Sequence, residues 1–462
     1  MKVLHVPYCF YPDPVGGTEV YVEGLSRELQ RLGVVCVVAA PGDQDDAYQY
    51  RGIPVRRYVV NPPQNLRDLY GDGDPLAANS FRRILASEQP DIVHLHAFTR
   101  GVSLRLVRVA KAKNIPVIFT YHTPTITCQR GTMMHWGEYL CDGICQPTKC
   151  SACELQHRGL SKQLARTIAA LPPAVSRLAD TLPGKLGTAL GMSDLIAFNQ
   201  RQQAEMLQLV DEFVVLTAWA LDKLIANGAP REKIRLNRLG VRELPSARKL
   251  GPDRRPTRRP IMVGYLGRFE AIKGVEDFAR AIASLPPDLP IRFEFRGPVT
   301  SAAEREVVDH VKGLVGSDPR VMFTPQVPPR QVYEVLSSYD VLCCPSVCLE
   351  GGPTVALEAH AIGTPVIGTR IGGLAEIVSE GTNGRLVAPG DWRALADVLK
   401  QIALDPSSTI DNWRQFVSNP RVMDEVLADY LNLYNRPALH SMEGACVAAV
   451  AKNNQFKGRS LL

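Results

Sequence analysis

Short apolar runs alternate with amphipathic stretches through the first 240 residues of the chain. One such stretch, residues 18–32, carries Leu25, Leu29 and Leu32 on one side and is followed by Gly33, a usual helix stop. Strands that alternate with helices predict βαβ units and a mainly parallel sheet. The predicted strands are KVLHV, VVCVVAA, DIVHLH, PVIFTYH, FVVLT and IRLNRLG, and further helices are predicted at residues 101–113 and 219–227.

A second alternation of the same kind follows a linker. Residues 245–260 contain four prolines and six basic residues without apolar periodicity, which is typical of a linker. We therefore expect an α/β chain with two doubly wound domains, at residues 1–244 and 261–408. In the second domain the predicted strands are IMVGYLG, IRFEFRG, VMFT, DVLCCPS and TPVIG, and the predicted helices are 275–285, 301–315, 391–404 and one from Pro353.

The end of the chain is predicted to cross back to the first domain. Residues 409–436 contain two helical patterns, DNWRQF and RVMDEVLADYLNLY, whose combined length is enough to reach between domains. Residues 437–462 show no clear pattern, so we expect a weakly ordered tail. Because ligands of doubly wound folds bind at the carboxyl ends of the strands, we expect a site in a cleft between the domains.

Composition narrows the class of function without naming one. The 462 residues are 45% apolar, and no run approaches the roughly 18 apolar residues of a membrane span. The amino-terminal residues do not resemble a cleavable leader, so we expect a cytoplasmic protein. The net charge of +6 is too small to demand a nucleic-acid partner, but it suits acidic ligands or an anionic membrane face.

The stretch LEGGPTVALEA places Glu350 and Glu358 around two glycines and a proline. Pro353 suits the first turn of a helix, so Glu350 is expected in the loop before it. If residues 350–358 were all helical, the carboxylates would be about 12 Å apart along the axis, whereas glycosidase pairs stand roughly 5 to 9.5 Å apart. The spacing favours two contacts on one elongated ligand, such as a nucleotide sugar, over a hydrolytic pair. Two ordinary surface charges are the alternative.

The backbone between the two glutamates suits a phosphate group. Gly351 and Gly352 let the main chain approach a ligand closely. The amides of Gly352, Thr354 and Val355 are expected to point out of the helix N-terminus, where anions bind.

Two cations follow the first strand of the second domain. The stretch GYLGRFEAIKG puts Arg268 and Lys273 in a turn bounded by Gly267 and Gly274. They are suited to neutralise a departing diphosphate, each charge-assisted hydrogen bond contributing roughly 1.5 to 3 kcal/mol. Taken alone they would be solvated surface charges, but together with the two glutamates they form a candidate site.

With these motifs the chain resembles the retaining glycosyltransferases of family 4, which have the GT-B fold of two Rossmann-like domains facing across a cleft. Glu350 and Glu358 occupy the ends of that family's E-x7-E motif, and the resemblance spans roughly residues 1–435. It implies a bacterial-type enzyme of polysaccharide or glycolipid synthesis. The matching stretches are GGTE, PDIVHLH, VIFTYH, GRFEAIKG and PSVCLEGGPTVALEAHAIGTPVIGTRIGGLAEIV.

The resemblance implies a role for each site residue. Glu350 would hold hydroxyls of the donor sugar, Glu358 those of the ribose, and Arg268 with Lys273 the diphosphate. The other donor contacts would come from the loop at Gly16 and Gly17, from Gly351, Gly352, Pro353 and Thr354, and from the backbone of Val327 near the base.

The implied reaction transfers a sugar from a UDP-, GDP- or ADP-sugar to a hydroxyl of a saccharide or lipid-linked acceptor held by the amino-terminal domain. Configuration would be retained, and the leaving diphosphate would accept the proton, so no cofactor or metal is required for catalysis. Preorganised positive charge and domain closure would be the main catalytic effects. A GT-B-type nucleotide-sugar epimerase and a catalytically silent nucleotide-sugar-binding subunit are the alternatives.

His122 ends the strand PVIFTYH and matches the histidine of a His-Asp pair common in the family, but Thr123 follows in place of the aspartate. A histidine at a strand end is often only structural. The resemblance implies that His122 belongs to the catalytic set, lining the junction of donor sugar and acceptor without acting as a base.

The chain has 11 cysteines, and several lie in an insert at residues 128–157. Four of them could supply the thiolates of a structural zinc site, although the loops between them are shorter than in zinc ribbons. Reduced free thiols and a redox pair are the alternatives. The four candidate ligands are Cys141, Cys145, Cys150 and Cys153.

A predicted helix at residues 157–171 has a basic side and an apolar side. It fits a peripheral contact with the inner face of a membrane, or packing of the apolar side on its own domain. The basic residues are Arg158, Lys162 and Arg166, and the apolar ones are Leu160, Leu164 and Ile168.

Overall fold

The computed structural model describes residues 1–13, 16–63, 66–179, 182, 184–244 and 260–436. Except for Pro260, the predicted linker and the predicted tail at 437–462 lie outside these residues. The described part folds into two α/β domains, each built on its own parallel sheet with helices on both faces. The predicted fold class is confirmed.

The amino-terminal domain contains an eight-stranded sheet and a separate two-stranded hairpin. Repeated apolar β-branched residues favour these buried strands. The strands are β1 (Lys2–Val6), β2 (Val35–Gly42), β3 (Asp46–Tyr50), β4 (Ile53–Val59), β5 (Ile92–Leu95), β6 (Val117–Tyr121), β7 (Met134–His135), β8 (Tyr139–Leu140), β9 (Glu212–Val215) and β10 (Ile234–Leu236). The sheet order is β10-β9-β6-β5-β1-β2-β4-β3, in which only β3 and β4 pair antiparallel, while β7 pairs with β8.

Helices cover both faces of this sheet, and four of them form a lobe beside it. The lobe consists of α4 to α7 and has its own apolar cluster around Tyr70, Trp136 and Met192. The helices of this domain are α1 (Gly17–Arg31), α2 (Pro75–Glu88), α3 (Leu104–Lys111), α4 (Pro147–His157), α5 (Lys162–Ala169), α6 (Pro173–Leu178), α7 (Gly184–Leu209) and α8 (Ala218–Ala226).

The carboxy-terminal domain has a six-stranded, entirely parallel sheet. Its strands are β11 (Ile261–Leu266), β12 (Ile291–Gly297), β13 (Val321–Pro325), β14 (Val341–Cys344), β15 (Val366–Thr369) and β16 (Gly384–Val387), in the order β13-β12-β11-β14-β15-β16. Its helices are α9 (Val275–Ala283), α10 (Ala302–Val315), α11 (Val332–Ser338), α12 (Thr354–Ala361), α13 (Leu374–Ile377) and α14 (Trp392–Leu404).

The last two helices, α15 (Asn412–Phe416) and α16 (Met423–Tyr434), lead the chain back to the first domain. Helix α16 packs on the first sheet beside α1, where Tyr430 and Tyr434 are fully buried. A backbone bridge between Val241 and Val422 ties the return segment to the end of the first domain. The predicted crossing is therefore present.

Several elements of the amino-terminal domain differ from the prediction, and β4, α2 and the β7–β8 hairpin were not predicted. The antiparallel strand β3 was not predicted, because its sequence DAYQY has no run of apolar residues. Most of its side chains are exposed. The predicted helix at 157–171 is wrong: Gly159, with φ +98°, separates α4 from α5. Helix α7, with 26 residues, was also missed. Among the described residues, no helix has both the length and the apolar character needed to cross a bilayer.

Candidate active site

Glu350 and Lys273 form an ion pair at the carboxyl ends of the second sheet. Glu350 lies in the loop after β14, and Lys273 ends a short turn of 3-10 helix after β11. The Lys273 Nζ donates to Glu350 Oε2 at 2.7 Å, and both side chains are about four-fifths buried. Glu350 Oε1 is buried and has no hydrogen-bond partner among the described residues. The structure thus brings these two predicted residues together and leaves one carboxylate oxygen able to accept.

Two glycine pairs shape the backbone around Glu350. Gly352, which precedes the N-cap of α12, adopts φ +119°, a conformation that other residues rarely take. Gly373 packs its backbone on Gly352 so closely that a Cβ at Gly373 would overlap the Gly352 backbone. The Gly373 amide also donates to the Glu350 carbonyl at 2.9 Å. Pro353 is the N-cap of α12, so the predicted helix start is off by one residue.

Arg268 lies farther out than Lys273. Its side chain is exposed and pairs with Glu270 Oε1 at 2.6 Å, not with Glu350. Its carbonyl accepts from the Tyr265 hydroxyl, which fixes the backbone after β11. An exposed pair of this kind contributes at most about 1 kcal/mol, so a bound ligand can draw the guanidinium away from Glu270.

Glu358 lies on α12, one turn after Thr354. Among the described residues no group donates a hydrogen bond to its carboxylate, and burial raises its pKa above the usual range of a glutamate. Tyr333 lies near it and donates from its hydroxyl to the Glu243 carbonyl. An incoming hydroxyl would thus meet a desolvated acceptor at this position.

The amino-terminal domain contributes two segments to the same region. Gly16 is the N-cap of α1 and donates its amide to Glu19 Oε2 at 2.9 Å, and Gly17 begins that helix. His122 follows β6, and its Nε2 is 3.0 Å from Nδ1 of His96. Burial lowers the pKa of His122 to about 3, so the ring is neutral.

The two domains contact each other at the glycine loop. A Cβ built on Gly351 would lie 3.5 Å from a Leu216 methyl group and 3.7 Å from the His122 carbonyl oxygen. One turn beyond Gly373, Glu376 spans the two domains: it accepts from the Trp219 amide at 3.2 Å and from Arg238 at 3.0 Å. The Glu350 loop therefore faces the edge of the first domain that carries His122.

Val327 lies in the loop after β13, the edge strand of the second sheet, and its side chain is partly buried. That strand is separated from β14, which leads into the Glu350 loop, by β12 and β11. The position is at the same carboxyl edge of the sheet as the other residues. A contact between Val327 and a bound base stays a prediction, as do the ligand contacts of all the site residues named above.

The sulfurs of the four cysteines do not converge on one point in the described structure. The Cys145 thiol donates to Cys150, which raises the pKa of Cys145 and lowers that of Cys150. The Cys153 sulfur instead accepts from the Trp136 amide at 3.4 Å, and the Cys141 thiol lies against Asp142. Within the described residues, the one group whose ligand atoms lie within 4.8 Å of one another contains three histidines and no cysteine. The geometry of the described residues therefore does not support the tetrathiolate prediction.

The basic residues of the predicted amphipathic helix are engaged inside the domain. Arg158 donates to Glu154 and to the Tyr70 hydroxyl, and Lys162 pairs with Glu138. Arg166 lies over the ring of Trp136. On the apolar side Leu160 and Ile168 pack into the lobe, whereas Leu164 is 51% exposed. Packing on the same domain accounts for this segment.

Sequence reasoning missed two parts of the site. One is Glu376, which lies in the GGLAEIV stretch. Its contact with the first domain became visible only in the structure, where α13 places it against Arg238. The other is the histidine group formed by His5, His94 and His96, whose members are 91 or fewer positions apart. The one local signal was the sequence HLH at the end of β5, since residues two apart on a strand share a face.

Two family models match the chain. One, described as glycosyl transferase 4-like domain, matches residues 16–240, and the other, described as glycosyl transferases group 1, matches residues 260–405. The chain belongs to the family 4 glycosyltransferases. The expected family is therefore confirmed. In this family 4 chain one model matches most of the amino-terminal domain, and the other matches the carboxy-terminal domain.

Curated relatives of this family 4 chain include D-inositol 3-phosphate glycosyltransferases. That of Corynebacterium urealyticum is 38% identical over 154 residues, which cover 32% of this chain and 36% of the relative. That of Acidothermus cellulolyticus is 27% identical over 432 residues, which cover 87% of this chain and 80% of the relative. The Corynebacterium relatives are each matched over less than half of their own length.

Solved structures share the fold at low identity. Anabaena Alr3699/HepE in complex with UDP has a TM-score of 0.60 and 16% identity, covering 94% of this chain and 99% of that one. Sucrose-phosphate synthase from Thermosynechococcus elongatus has a TM-score of 0.62 and 19% identity, covering 94% and 98%. This family 4 chain therefore has the GT-B fold that the sequence predicted.

Proposed function

We propose that this chain is a retaining glycosyltransferase that moves a hexose-type sugar from a nucleoside diphosphate to an acceptor hydroxyl. The observation that carries the proposal is the Lys273–Glu350 pair, held at 2.7 Å beside a free carboxylate oxygen and a glycine-built backbone. Carboxylates accept from sugar hydroxyls, and a neighbouring ammonium attracts phosphate. Family membership supports the same assignment.

The donor is a nucleotide sugar that spans the two glutamates. Its sugar hydroxyls donate to Glu350 Oε1, and its ribose hydroxyls donate to Glu358, whose carboxylate has no protein donor within the described residues. The diphosphate lies over the first amides of α12, which have no intrahelical acceptors. UDP-hexoses are the first donors to test, because structures of Alr3699/HepE are described with UDP and with UDP-glucose.

The chain's own residues supply charge, order and shielding from water. Lys273 shares its proton donors between Glu350 and the leaving diphosphate, and Arg268 leaves the exposed pair with Glu270 to join it. Developing negative charge is stabilised by these fixed cations, which is the largest expected catalytic effect. The acceptor hydroxyl enters on the side of the leaving group and gives its proton to the diphosphate, so the anomeric configuration is retained.

The acceptor lies against the amino-terminal domain near His122, while the loop at Gly16 and Gly17 covers the donor's diphosphate. The acceptor's class is a polyol or saccharide, free or lipid-linked, because curated relatives are named for D-inositol 3-phosphate. We place the reaction in the cytoplasm, where nucleotide sugars are made. Peripheral contact with the inner membrane face has less support, because Arg158, Lys162 and Arg166 are engaged inside their own domain.

The test is release of nucleoside diphosphate by the purified full chain. A panel of UDP-, GDP- and ADP-hexoses is incubated with inositol phosphate, oligosaccharides and lipid-linked saccharides, and the product's anomeric configuration is read by NMR. We expect release that depends on an acceptor. Tight donor binding without release favours the silent subunit, and conversion of the donor without an acceptor favours the epimerase.

A further inference from the structure

Four histidines form a row on the face of the first sheet that lies under α1 and α16. His5 on β1 is paired in register with His94 on β5, and His96 and His122 follow β5 and β6. His5, His94 and His96 are fully buried, whereas His122 is partly exposed. The row therefore leads from the core of the domain to the cleft.

Three of these rings are hydrogen bonded in series. Nδ1 of His5 is 3.1 Å from Nε2 of His96, and Nδ1 of His96 is 3.0 Å from Nε2 of His122. Burial lowers the pKa of His5 and of His122 to about 3, and that of His96 lies well below its ordinary value. All three are neutral, so each ring has one N–H donor and one acceptor nitrogen. The tautomer of one ring then dictates the tautomer of the next.

The buried end of the series sets its direction. His5 Nε2 is buried and has no hydrogen-bond partner among the described residues. Buried N–H groups without an acceptor are rarer than buried acceptors without a donor. His5 thus carries its proton on Nδ1 and donates to His96 Nε2. His96 then carries its proton on Nδ1 and donates to Nε2 of His122.

We propose that His5 and His96 are positioning residues that hold His122 in the tautomer protonated on Nδ1, presenting an N–H donor to the cleft. With Nε2 occupied by His96 and Nδ1 protonated, His122 has no lone pair with which to take a proton. It can donate a hydrogen bond to an oxygen of the donor sugar or the acceptor. The identity of that oxygen rests on the proposed function, but the tautomer does not.

A metal ion is the competing explanation, since ligand nitrogens of His5, His94 and His96 lie within 4.8 Å of one another. Existing hydrogen bonds argue against it. The two His94 nitrogens contact the Tyr434 hydroxyl and the Thr120 hydroxyl, each at 2.7 Å. Both His96 nitrogens are used in the series. A cation would have to break these bonds and lose its hydration in a buried site where none of the described residues supplies an anion.

The experiment reads the proton positions directly in the full chain. Protein labelled with ring-15N histidine gives long-range 1H–15N correlations that distinguish the Nδ1–H and Nε2–H tautomers, and His122→Gln assigns the His122 signal. We expect Nδ1–H at His122. An Nε2–H signal at His122, or one equivalent of metal in the purified protein, overturns the proposal.

Substitution of His96 tests the coupling. In His96→Asp the carboxylate can only accept, so we expect His122 to switch to Nε2–H, whereas His96→Asn can donate and should keep Nδ1–H. The matched control is His94→Asn, which lies outside the series and should leave the His122 signal in place. An unchanged His122 tautomer in a folded His96→Asp variant overturns the coupling. If that variant does not fold, the spectra of the wild type and of His96→Asn test the tautomer of His122.

Turnover adds a second measurement. We expect His96→Asp to lower kcat about tenfold with little change in the donor KM, and His96→Asn to restore most of the rate. If the wild-type chain releases no nucleoside diphosphate with any donor, the proposed function fails while the NMR result stands. If it turns over but His122 is protonated on Nε2, the tautomer proposal alone fails.

Discussion

The two edges of the cleft are built from opposite kinds of polar group. The carboxy-terminal edge uses full charges, with Lys273 on Glu350 and Arg268 on Glu270. The amino-terminal edge uses neutral imidazoles: in the described structure no carboxylate is hydrogen bonded to His5, His96 or His122, and only His122 is partly exposed. One edge is suited to hold a charged donor, and the other is suited to orient a neutral hydroxyl.

The difference also concerns how each edge is assembled. Glu350, Gly352 and Glu358 come from one short stretch of chain, and Lys273 joins them from the turn that follows the neighbouring strand β11. The imidazole series instead needs three strands, β1, β5 and β6, whose side chains meet only when the parallel sheet forms. Residues that are close in the chain form a recognisable sequence motif. Residues that meet only in the folded sheet do not.

The largest effect is expected at the charged edge. Lys273→Ala removes the partner of Glu350 and a diphosphate contact, and losing two charge-assisted hydrogen bonds of roughly 1.5 kcal/mol each reduces kcat/KM about 100-fold. Arg268→Ala and Glu350→Gln should each cost at least about tenfold. Steady-state release of nucleoside diphosphate measures this, with exposed Lys400→Ala as the control. An equal loss in the control would contradict a specific role for Lys273.

Backbone packing gives the next effect. Gly373→Ala forces a methyl group into the Gly352 backbone and shifts the loop that carries Glu350. We expect donor affinity, measured by calorimetry, to fall about tenfold and the unfolding temperature to drop by several degrees. Gly313→Ala on α10 has open space around it and serves as the control. If Gly373→Ala leaves donor affinity unchanged, the loop that carries Glu350 does not contribute to donor binding.

Contact between the two edges is tested at Glu376. Glu376→Gln weakens the bonds to Arg238 and to the Trp219 amide, so we expect the donor KM to rise about fivefold while kcat changes less. A double-mutant cycle with Arg238→Ala should show coupling between the two residues. Glu334→Gln, an exposed charge on α11, is the control. Full additivity would mean that the pair does not hold the domains together.

A smaller effect is expected from pH at Glu358. Burial raises its pKa in the folded state, so the folded protein binds this proton more tightly than the unfolded chain does. Stability attributable to Glu358 is therefore greatest below the unfolded pKa and falls as the pH rises through the folded pKa. Urea unfolding should show Glu358→Gln more stable than wild type at pH 7 but not at pH 4. The same difference at both pH values would contradict a desolvated carboxylate.

Chelation is expected to have the smallest effect. Because the sulfurs of Cys141, Cys145, Cys150 and Cys153 do not converge, EDTA should leave the unfolding temperature unchanged under reducing conditions. Thiol titration of the unheated protein should show reactive Cys150, whose pKa is lowered by the hydrogen bond from Cys145. Bound zinc that EDTA removes with a loss of stability would reverse this conclusion.

Much of the fold could be predicted from the sequence. Helix α1 was expected at residues 18–32 and spans Gly17–Arg31, and α9, α10 and α14 are equally close to their predicted ranges. These helices have caps and apolar periodicity that act within a few residues. Helix α7 of the lobe was missed, because it packs on α3, α4, α5 and α6 and therefore lacks a single apolar stripe.

The sequence by itself determined two parallel sheets, the family motif and the positions of Glu350, Glu358, Arg268 and Lys273, since short-range patterns and spacing encode these. Only the tertiary structure decided which charges pair, that the four cysteine sulfurs do not converge on one point, and that Glu376 and the imidazole series lie where the two domains meet. Hydrogen bonds and desolvation depend on atoms brought together from distant parts of the chain, and the linear order of residues does not specify those distances.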